Sequence, residues 1–315
     1  MNIYIGLGGI GAKAIEKLAI TGEQKAKYIV IDSDMTDIRR ISEQNNQIRS
    51  VCISTKHSIG ECLNFYPKAN EWYPSSPLLV DHLCVSASAI RANGRLLIEI
   101  AMINKLRPIF EELLLEEQED ISIHYYTSTM GGTGSGAFLP LVFFLNEYCK
   151  EKKLRSVKMY GHFTLPSAVD HVISSKIESN YLWANTFAFI IELEAFTDAL
   201  CGKKSIDISL PFYEGVSQGV FAPLLNGVTF AGLTNADEIK SIDYIRDLAD
   251  SKVSDMNYEK QKKILSDTKQ PYMDTYITMM PPLNKNELRQ ERNCNHITHH
   301  IDRRWHEILK GYVIK

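Results

Sequence analysis

Two glycine-rich stretches carry the residues whose types and spacing could bind a phosphate chain. The first, Gly6–Gly11, directly follows the apolar run Ile3–Ile5 and opens an amphipathic segment. Glycine lets the backbone adopt positive φ and lets a ligand approach the main chain closely. A helix that begins there offers free N–H groups and the positive end of its dipole to an anion. The candidate binding residues of this turn are Gly8, Gly9, Ile10 and Gly11.

The second stretch follows the apolar run Ile121–Tyr126 and is predicted to open a helix that ends near Cys149. Four glycines alternate with two hydroxyl side chains, which predicts a nest of backbone donors for an anion. No lysine precedes the Thr or Ser, so the stretch is not a Walker P-loop. Each glycine at a helix start costs about 1 kcal/mol relative to alanine, so ligand binding explains this run better than packing does. The candidate residues are Gly131, Gly132, Thr133, Gly134, Ser135 and Gly136.

The elements that must position these loops alternate along the chain. Short apolar runs alternate with segments of helical periodicity, which predicts a parallel sheet covered by helices on both faces. We therefore expect an α/β fold in which a three-layer parallel sheet forms a Rossmann-like nucleotide-binding domain. The predicted strands are Ile3–Ile5, Tyr28–Ile31, Ser50–Ile53, Ile121–Tyr126, Val157–Phe163 and Val228–Leu233. The predicted helices include Gly11–Ile20, Ile90–Glu117 with a start or kink at Pro108, Gly134–Cys149 and Val172–Phe196.

The nucleotide domain is predicted to span residues 1–270, followed by a short C-terminal region at residues 271–315. Glycine and proline in residues 201–226 indicate an insertion that forms a hairpin. The C-terminal region ends in an amphipathic segment around Trp305, which predicts a helical tail. His296 and His300 in this region have i, i+4 spacing, but no cysteine pair or HExxH pattern accompanies them. No metal site is therefore expected there.

The composition of the chain limits the kinds of partner and location that we expect. The chain has 315 residues, 44% hydrophobic and 23% charged, with a net charge of −3, so nothing in it favours a nucleic-acid or membrane-surface partner. The six cysteines form no CxxC pair, which favours reduced thiols. The N-terminus lacks the pattern of a signal peptide, and the apolar window Phe138–Leu145 is too short to cross a bilayer. We expect a cytoplasmic protein without membrane insertion.

Taken together, the loops resemble those of the tubulin/FtsZ superfamily. The string from Gly131 to Ala137 looks like the signature phosphate loop of that family, and Gly8–Gly11 is similar to its first nucleotide loop. Two further segments match the second loop and the third loop, which senses the γ-phosphate. Their candidate residues are Asp32, Ser33, Asp34, Ser88, Arg91, Gly94 and Arg95. The resemblance implies that the chain binds GTP or GDP, with Mg²⁺ on the β- and γ-phosphates.

The resemblance also suggests where the ribose and the base would bind. Asn185 lies in a stretch similar to an FtsZ helix near the ribose and base, and Asn235 ends a strand similar to the one that contacts the base. Asp250 matches the carboxylate that accepts the N1 and N2 protons of guanine. Separately, Asp170 follows the strand Val157–Phe163 and is a candidate for a ribose hydroxyl.

In the tubulin/FtsZ superfamily, GTP is hydrolysed between subunits by an acidic residue of the neighbouring molecule. Asp274 is the best match for that catalytic residue, although the Asn-x-Asp pattern of the family's loop is absent. About 40 residues follow Asp274, too few for an independent second domain. The resemblance thus implies a homo-oligomer or filament.

Two other functions stay open. In the first, the chain is a non-catalytic nucleotide switch that an adaptor or effector protein reads, and Asp274 has no role. In the second, the chain is an NAD-dependent oxidoreductase, because Gly6–Gly11 satisfies G-x-G-x-x-G and Asp32 ends the next strand. The oxidoreductase reading leaves the loop at Gly131–Gly136 unexplained.

Overall fold

The computed structural model describes most of the N-terminal two thirds of the chain and a few segments beyond it. The described residues are 1–21, 25–73, 83, 86–114, 120–154, 156–169, 182–190, 192–193, 206–218, 227–231 and 298–300.

Parallel strands form the central layer of the fold. The strands are β1 Asn2–Leu7, β2 Lys27–Asp32, β3 Ile48–Cys52, β4 Ile121–Ser128, β5 Val157–Thr164, β6 Ile206–Leu210, β7 Tyr213–Gln218, β8 Gly227–Ala231 and β9 Thr298–His300. Seven of them form one sheet in the order β3-β2-β1-β4-β5-β8-β9, and every neighbouring pair is parallel. Strands β1, β2 and β4 are mostly buried, as expected for a sheet covered on both faces.

Helices cover both faces of the sheet and complete the three layers. They are α1 Gly8–Thr21, α2 Met35–Gln44, α3 Ile59–Phe65, α4 Arg91–Ala101, α5 Arg107–Leu114 and α6 Gly132–Glu151. On one face, Ile15 of α1 and Ile41 of α2 pack with Val30 of β2. On the other face, Leu97 of α4 and Phe138 of α6 belong to the larger core. The predicted three-layer α/β architecture is confirmed.

The long helix predicted at Ile90–Glu117 is interrupted in the structure. A π-helical turn at Met102–Leu106 separates α4 from α5. Pro108 has no N–H to donate and its ring crowds the carbonyl of residue 104, so a continuous α-helix is unfavourable here. A wider turn just before the proline relieves this conflict. The predicted start or kink at Pro108 is thus confirmed.

Two later segments fall among the described residues. Strands β6 and β7 pair antiparallel, as the hairpin predicted within residues 201–226 requires. The segment around Trp305, where a helical tail is predicted, lies outside the described residues, and Thr298–His300 before it pair with β8 as the parallel edge strand β9. Pairing with an exposed strand edge satisfies backbone groups that a surface helix would not reach. No helix among the described residues is long and apolar enough to cross a membrane.

Candidate functional site

Helices α1 and α6 begin side by side at the carboxyl edge of the sheet. Strands β1 and β4 are parallel neighbours, with Leu7 paired to Thr127, so the helices that follow them start at the same level. Gly8 makes the turn out of β1 with φ of 70°. A Cβ placed on Gly8 would lie 3.2 Å from the backbone nitrogen of Gly134. The two glycine loops predicted from the sequence are therefore in direct contact.

The N-terminus of α4 also lies beside the first turn of α6. A Cβ on Gly132 would lie 2.7 Å from the nitrogen of Ile90 and 2.9 Å from the Cα of Ala89. Ile90 is the residue just before the first residue of α4. Three helix N-termini thus converge around the first turn of α6.

Two of these three N-termini differ in their capping from α2 and α3. Asp34 caps α2 through its side chain, and Ser58 caps α3 with Glu61 in a capping box. Neither α4 nor α6 has a side-chain cap, and the first turns of α1, α4 and α6 contain no acidic residue. The side-chain caps of α2 and α3 are thus missing from α4 and α6.

This arrangement favours an anion. The first N–H groups of a helix lack an intrahelical acceptor, and each N-terminus carries about half a positive charge. Three such ends brought together repel one another unless negative charge lies between them. A polyphosphate supplies both the charge and the acceptor oxygens.

Packing accounts for more of the second glycine loop than the sequence suggested. A Cβ at Gly134 would overlap Oγ1 of Thr127, and one at Gly136 would overlap the carbonyl oxygen of Arg91. Gly132 has no room either, because of Ile90. The expectation that packing explains this run poorly is thus wrong for three of its four glycines. Close contacts between α6 and its neighbours need these residues whether or not a ligand binds.

Gly131 and Gly9 are less crowded than these three glycines. A Cβ at Gly131 would lie 3.3 Å from Oγ of Ser128, a tight contact that a small shift of the serine would relieve. At Gly9 the nearest atoms would be Oδ2 of Asp37 at 3.6 Å and Oδ2 of Asp32 at 4.0 Å. Packing therefore does not require glycine at Gly9.

Ser33 joins three of the predicted loops. Its hydroxyl accepts a hydrogen bond from the N–H of Ala87 at 3.0 Å and lies 2.6 Å from Oγ1 of Thr133. Ser33 is fully buried, and Thr133 is 8% exposed. If the Ser33 hydroxyl donates the hydrogen bond to Oγ1 of Thr133, the Thr133 hydroxyl can donate its own hydrogen bond to an acceptor at the site.

Asn185 also links two loops. Its Nδ2 donates to the carbonyl oxygens of Ala89 at 3.0 Å and Met130 at 2.7 Å. The amide protons that the sequence assigned to the ribose or base are thus used by the protein backbone.

Arg91 and Ser135 bind each other between α4 and α6. The Arg91 Nε donates to Oγ of Ser135 at 3.1 Å, and the guanidinium makes a two-point ion pair with Glu192. The Ser135 hydroxyl donates to the carbonyl oxygen of Gly131. Both residues are buried, and these contacts tie α4 to the loop that opens α6; their contact with a phosphate stays a prediction.

Gly94 and Arg95 also serve α4 itself. A Cβ at Gly94 would overlap the carbonyl oxygen of Gly132, so this glycine permits the close approach of α4 and α6. Arg95 pairs through Nε with Glu99 at 2.7 Å, and its guanidinium stacks over Trp72 at 4.0 Å. These contacts tie Arg95 to α4 and to the segment after α3, and its contact with a phosphate stays a prediction.

Carboxylates line the α1 side of the site. The Oδ1 of Asp32 accepts hydrogen bonds from the N–H groups of Ser33 and Asp34. Burial nevertheless raises the pKa of Asp32 to about 6, and the nearby charges of Asp37 and Asp34 add to the effect. A phosphate placed beside these carboxylates would repel them unless a cation lay between.

Four predicted site residues lie outside the described part of the chain: Asp170, Asn235, Asp250 and Asp274. The structure also adds buried residues that sequence reasoning missed. Asn93 accepts a hydrogen bond from the Tyr73 hydroxyl at 2.6 Å, and Thr129 contacts Thr186 at 2.8 Å. Their only sequence signal was a polar residue within an otherwise apolar helix or strand end.

Comparison with known proteins gives one family and several distant structural likenesses. CetZ2 from Haloferax volcanii, as a GTPγS-bound protofilament, matches with a TM-score of 0.42 and 12% identity over 79% of this chain and 55% of that one. An empty FtsZ dimer from M. jannaschii matches with a TM-score of 0.40 and 14% identity over 80% and 52%. TubZ from Bacillus thuringiensis serovar israelensis, in a GTPγS-form protofilament, gives 0.37 and 13% over 82% and 55%.

At such identities the likeness extends to the fold alone, and this chain spans about half the length of those proteins. No curated protein matches the sequence. The family model described as "Tubulin like" matches residues 3–305, nearly the whole chain. The chain therefore belongs to the tubulin-like family.

Proposed function

We propose that this protein binds a guanine nucleotide, with the phosphate chain at the meeting point of α1, α4 and α6. The observation that carries the proposal is the convergence of three helix N-termini that lack acidic first-turn residues. The family supports GTP or GDP as the ligand, and guanine specificity would come from Asn235 and Asp250.

Mg²⁺ fits the same proposal. Asp32 and Asp37 approach the first turn of α1, where they would otherwise repel a phosphate. Mg²⁺ typically binds one or two carboxylates, substrate phosphates and several waters rather than a cage of protein ligands. No cage of three or more His, Cys, Asp or Glu occurs among the described residues, which agrees with that mode. When bound, the ion would neutralise charge on the β- and γ-phosphates.

The residues around the phosphates would contribute binding and orientation. Backbone N–H groups at Gly9, Ile10 and Thr133 belong to helix first turns and would donate to phosphate oxygens. The Thr133 hydroxyl, held by Ser33, would add one further donor. Because these donors are fixed by tight glycine packing, they need little rearrangement when a ligand binds.

Hydrolysis and assembly extend the proposal. We infer that GTP hydrolysis, where it occurs, needs Asp274 of a neighbouring subunit to orient the attacking water. The rival is a switch that binds nucleotide without turnover. Loss of GTP turnover in Asp274→Ala with unchanged binding would reject the switch. Equal turnover in the variant and the unmodified protein would reject the catalytic role of Asp274.

A matched pair of glycine variants tests the binding site. Gly9→Ala places a methyl group between α1 and the carboxylates of Asp32 and Asp37, in space that the protein leaves open. Gly60→Ala in α3 meets no atom within 4 Å. Alanine is favoured over glycine within helices, so neither variant should lower stability.

We expect Gly9→Ala to weaken GTP binding at least about tenfold, or roughly 1.4 kcal/mol. Gly60→Ala should bind like the unmodified protein, as measured by titration calorimetry with Mg²⁺. Unchanged affinity in Gly9→Ala, with both variants folded, would place the nucleotide elsewhere. Gly134→Ala is unsuitable for this test because its Cβ would overlap Thr127.

A further inference from the structure

The turn from Ala87 to Ile90 has an unusual backbone for its residue types. The N–H of Ile90 donates to the carbonyl oxygen of Ala87 at 2.9 Å, and the two residues between have φ of 52° for Ser88 and 59° for Ala89. Successive positive φ values belong to a type I′ turn, which Gly, Asn and Asp adopt most readily. Ser and Ala bear a steric cost in this region, so surrounding contacts must hold the turn.

Asn185 is the contact that holds the C-terminal half of the turn. Both protons of its planar amide are used, one on the carbonyl oxygen of Ala89 and one on that of Met130. The side chain is buried, with 4% of the residue exposed. A single rigid group thus fixes the distance between the turn and the loop that opens α6.

Asn185 lies in a helical stretch at residues 182–190, and other residues there and at 192–193 strengthen this link. Glu192 pairs with Arg91, which directly follows the turn. Thr186 contacts Thr129 in the loop before α6. The segment therefore holds both the start of α4 and the start of α6, and Asn185 bonds to both loops through one side chain.

We propose that Asn185 is a positioning residue that holds the turn at Ser88 and Ala89 against the phosphate loop, and so sets the preference for a third phosphate. The inference rests on the proposed nucleotide function. Helices α1 and α6 meet directly, and the turn brings Ala89 and Ile90, at the N-terminus of α4, against Gly132 of α6. Loosening the turn weakens the alignment of the first N–H groups of α4 with the other two helix ends. A triphosphate carries more negative charge than a diphosphate, so it should lose more affinity.

Ser33 should still hold one end of the turn when the Asn185 amide is removed. Its hydroxyl accepts a hydrogen bond from the N–H of Ala87, at the opposite end of the turn from Ala89. The loss of Asn185 should therefore loosen Ala89 and Ile90 without unfolding the site.

The test compares Asn185→Leu with Thr186→Val, a buried polar residue one position along the same helix that does not contact the turn. In nucleotide-free protein, hydrogen exchange at residues 87–90 should quicken at least about tenfold in Asn185→Leu and stay unchanged in Thr186→Val. With Mg²⁺, the affinity for GTP should fall about tenfold in Asn185→Leu, while the affinity for GDP stays within about twofold. Asn185→Ala replaces the leucine variant where leucine prevents folding.

A second substitution separates positioning from general damage. Glycine adopts positive φ without steric cost, so adding Ala89→Gly to Asn185→Leu should restore the affinity for GTP to within about threefold. Equal loss of GTP and GDP without rescue, or unchanged exchange at residues 87–90, would overturn the inference. If the unmodified protein binds neither nucleotide, the proposed function fails, and the exchange measurement still decides whether Asn185 holds the turn.

Discussion

At the residue scale, the site is built from backbone groups that small or buried polar side chains hold in place. The hydroxyls of Ser33 and Thr133 are hydrogen-bonded to each other. Ser33 and Asn185 also bond to main-chain atoms of the loops. Arg91, a candidate for a phosphate contact, donates to Ser135 and pairs with Glu192. The charges near the loops are thus those of the helix ends, of the carboxylates beside α1 and of the Arg91–Glu192 pair.

Asp32 gives a pH prediction at this scale. Its folded pKa of about 6 lies above the ordinary value of 3.8, so the folded state holds its proton more tightly than the unfolded state. Stability from this group is present below about pH 4 and is lost as the pH rises through about 6. In nucleotide-free protein, Asp32→Asn removes this loss, which is roughly 3 kcal/mol over the full pH range and about 2 kcal/mol above pH 4.5.

The measurement is urea unfolding at pH 4.5 and pH 7.5. The unmodified protein should lose stability relative to Asp32→Asn between these two values. Asp34→Asn, which keeps an N-cap side chain on α2, serves as the control and should not remove this pH dependence. A gap between the unmodified protein and Asp32→Asn that stays constant with pH would contradict the burial-driven shift.

At the element scale, α4 and α6 carry the site between them, and a buried ion pair fixes α4 to the segment at residues 182–193. Arg91 is 3% exposed in its side chain and Glu192 is 14% exposed. Removing Glu192 would leave a buried guanidinium with one partner fewer. Glu192→Ala should therefore lower the free energy of unfolding by roughly 3–5 kcal/mol.

The chain offers a matched surface pair for comparison. Arg49 and Glu112 also form an arginine–glutamate pair, but their side chains are 38% and 69% exposed. Glu112→Ala should cost less than about 1 kcal/mol, because solvent screens the pair. Chemical denaturation of Glu192→Ala and Glu112→Ala measures the loss of unfolding free energy in each. Equal losses would show that burial of Arg91 has no special energetic role.

Sequence pattern predicts some elements of this fold better than others. Apolar runs flanked by glycine, such as Ile3–Ile5 and Ile121–Tyr126, marked the strands that precede the loops, and Pro108 marked the break in the long helix. Strand β9 escaped prediction because Thr298–His300 has no apolar run and gains its place by pairing with β8. The packing role of Gly132 and Gly136 was not predicted for a similar reason. Their close contacts join helices that are far apart in the sequence, so the local spacing of residues does not indicate them.

At the scale of the whole molecule, a tubulin-like parallel sheet brings the first turns of α1 and α6 together at its carboxyl edge. We predict nucleotide-dependent self-association, because an acidic residue from a second subunit would be needed for turnover. Sedimentation velocity and light scattering with GTP and Mg²⁺ should show larger species than with GDP, and Gly9→Ala should stay unassembled. If the size of the species does not change on adding GTP, the assembly proposal is rejected, but the nucleotide-binding proposal is not.

The most direct test of the anion site is the nucleotide that copurifies with the protein, released by denaturation and separated by chromatography. The convergence of α1, α4 and α6 predicts GDP or GTP at up to one molecule per chain, or strong binding when either is added with Mg²⁺. Protein that carries no nucleotide and gains no thermal stability from millimolar GTP or GDP would contradict the account. Stabilisation by NAD instead would favour the dinucleotide alternative.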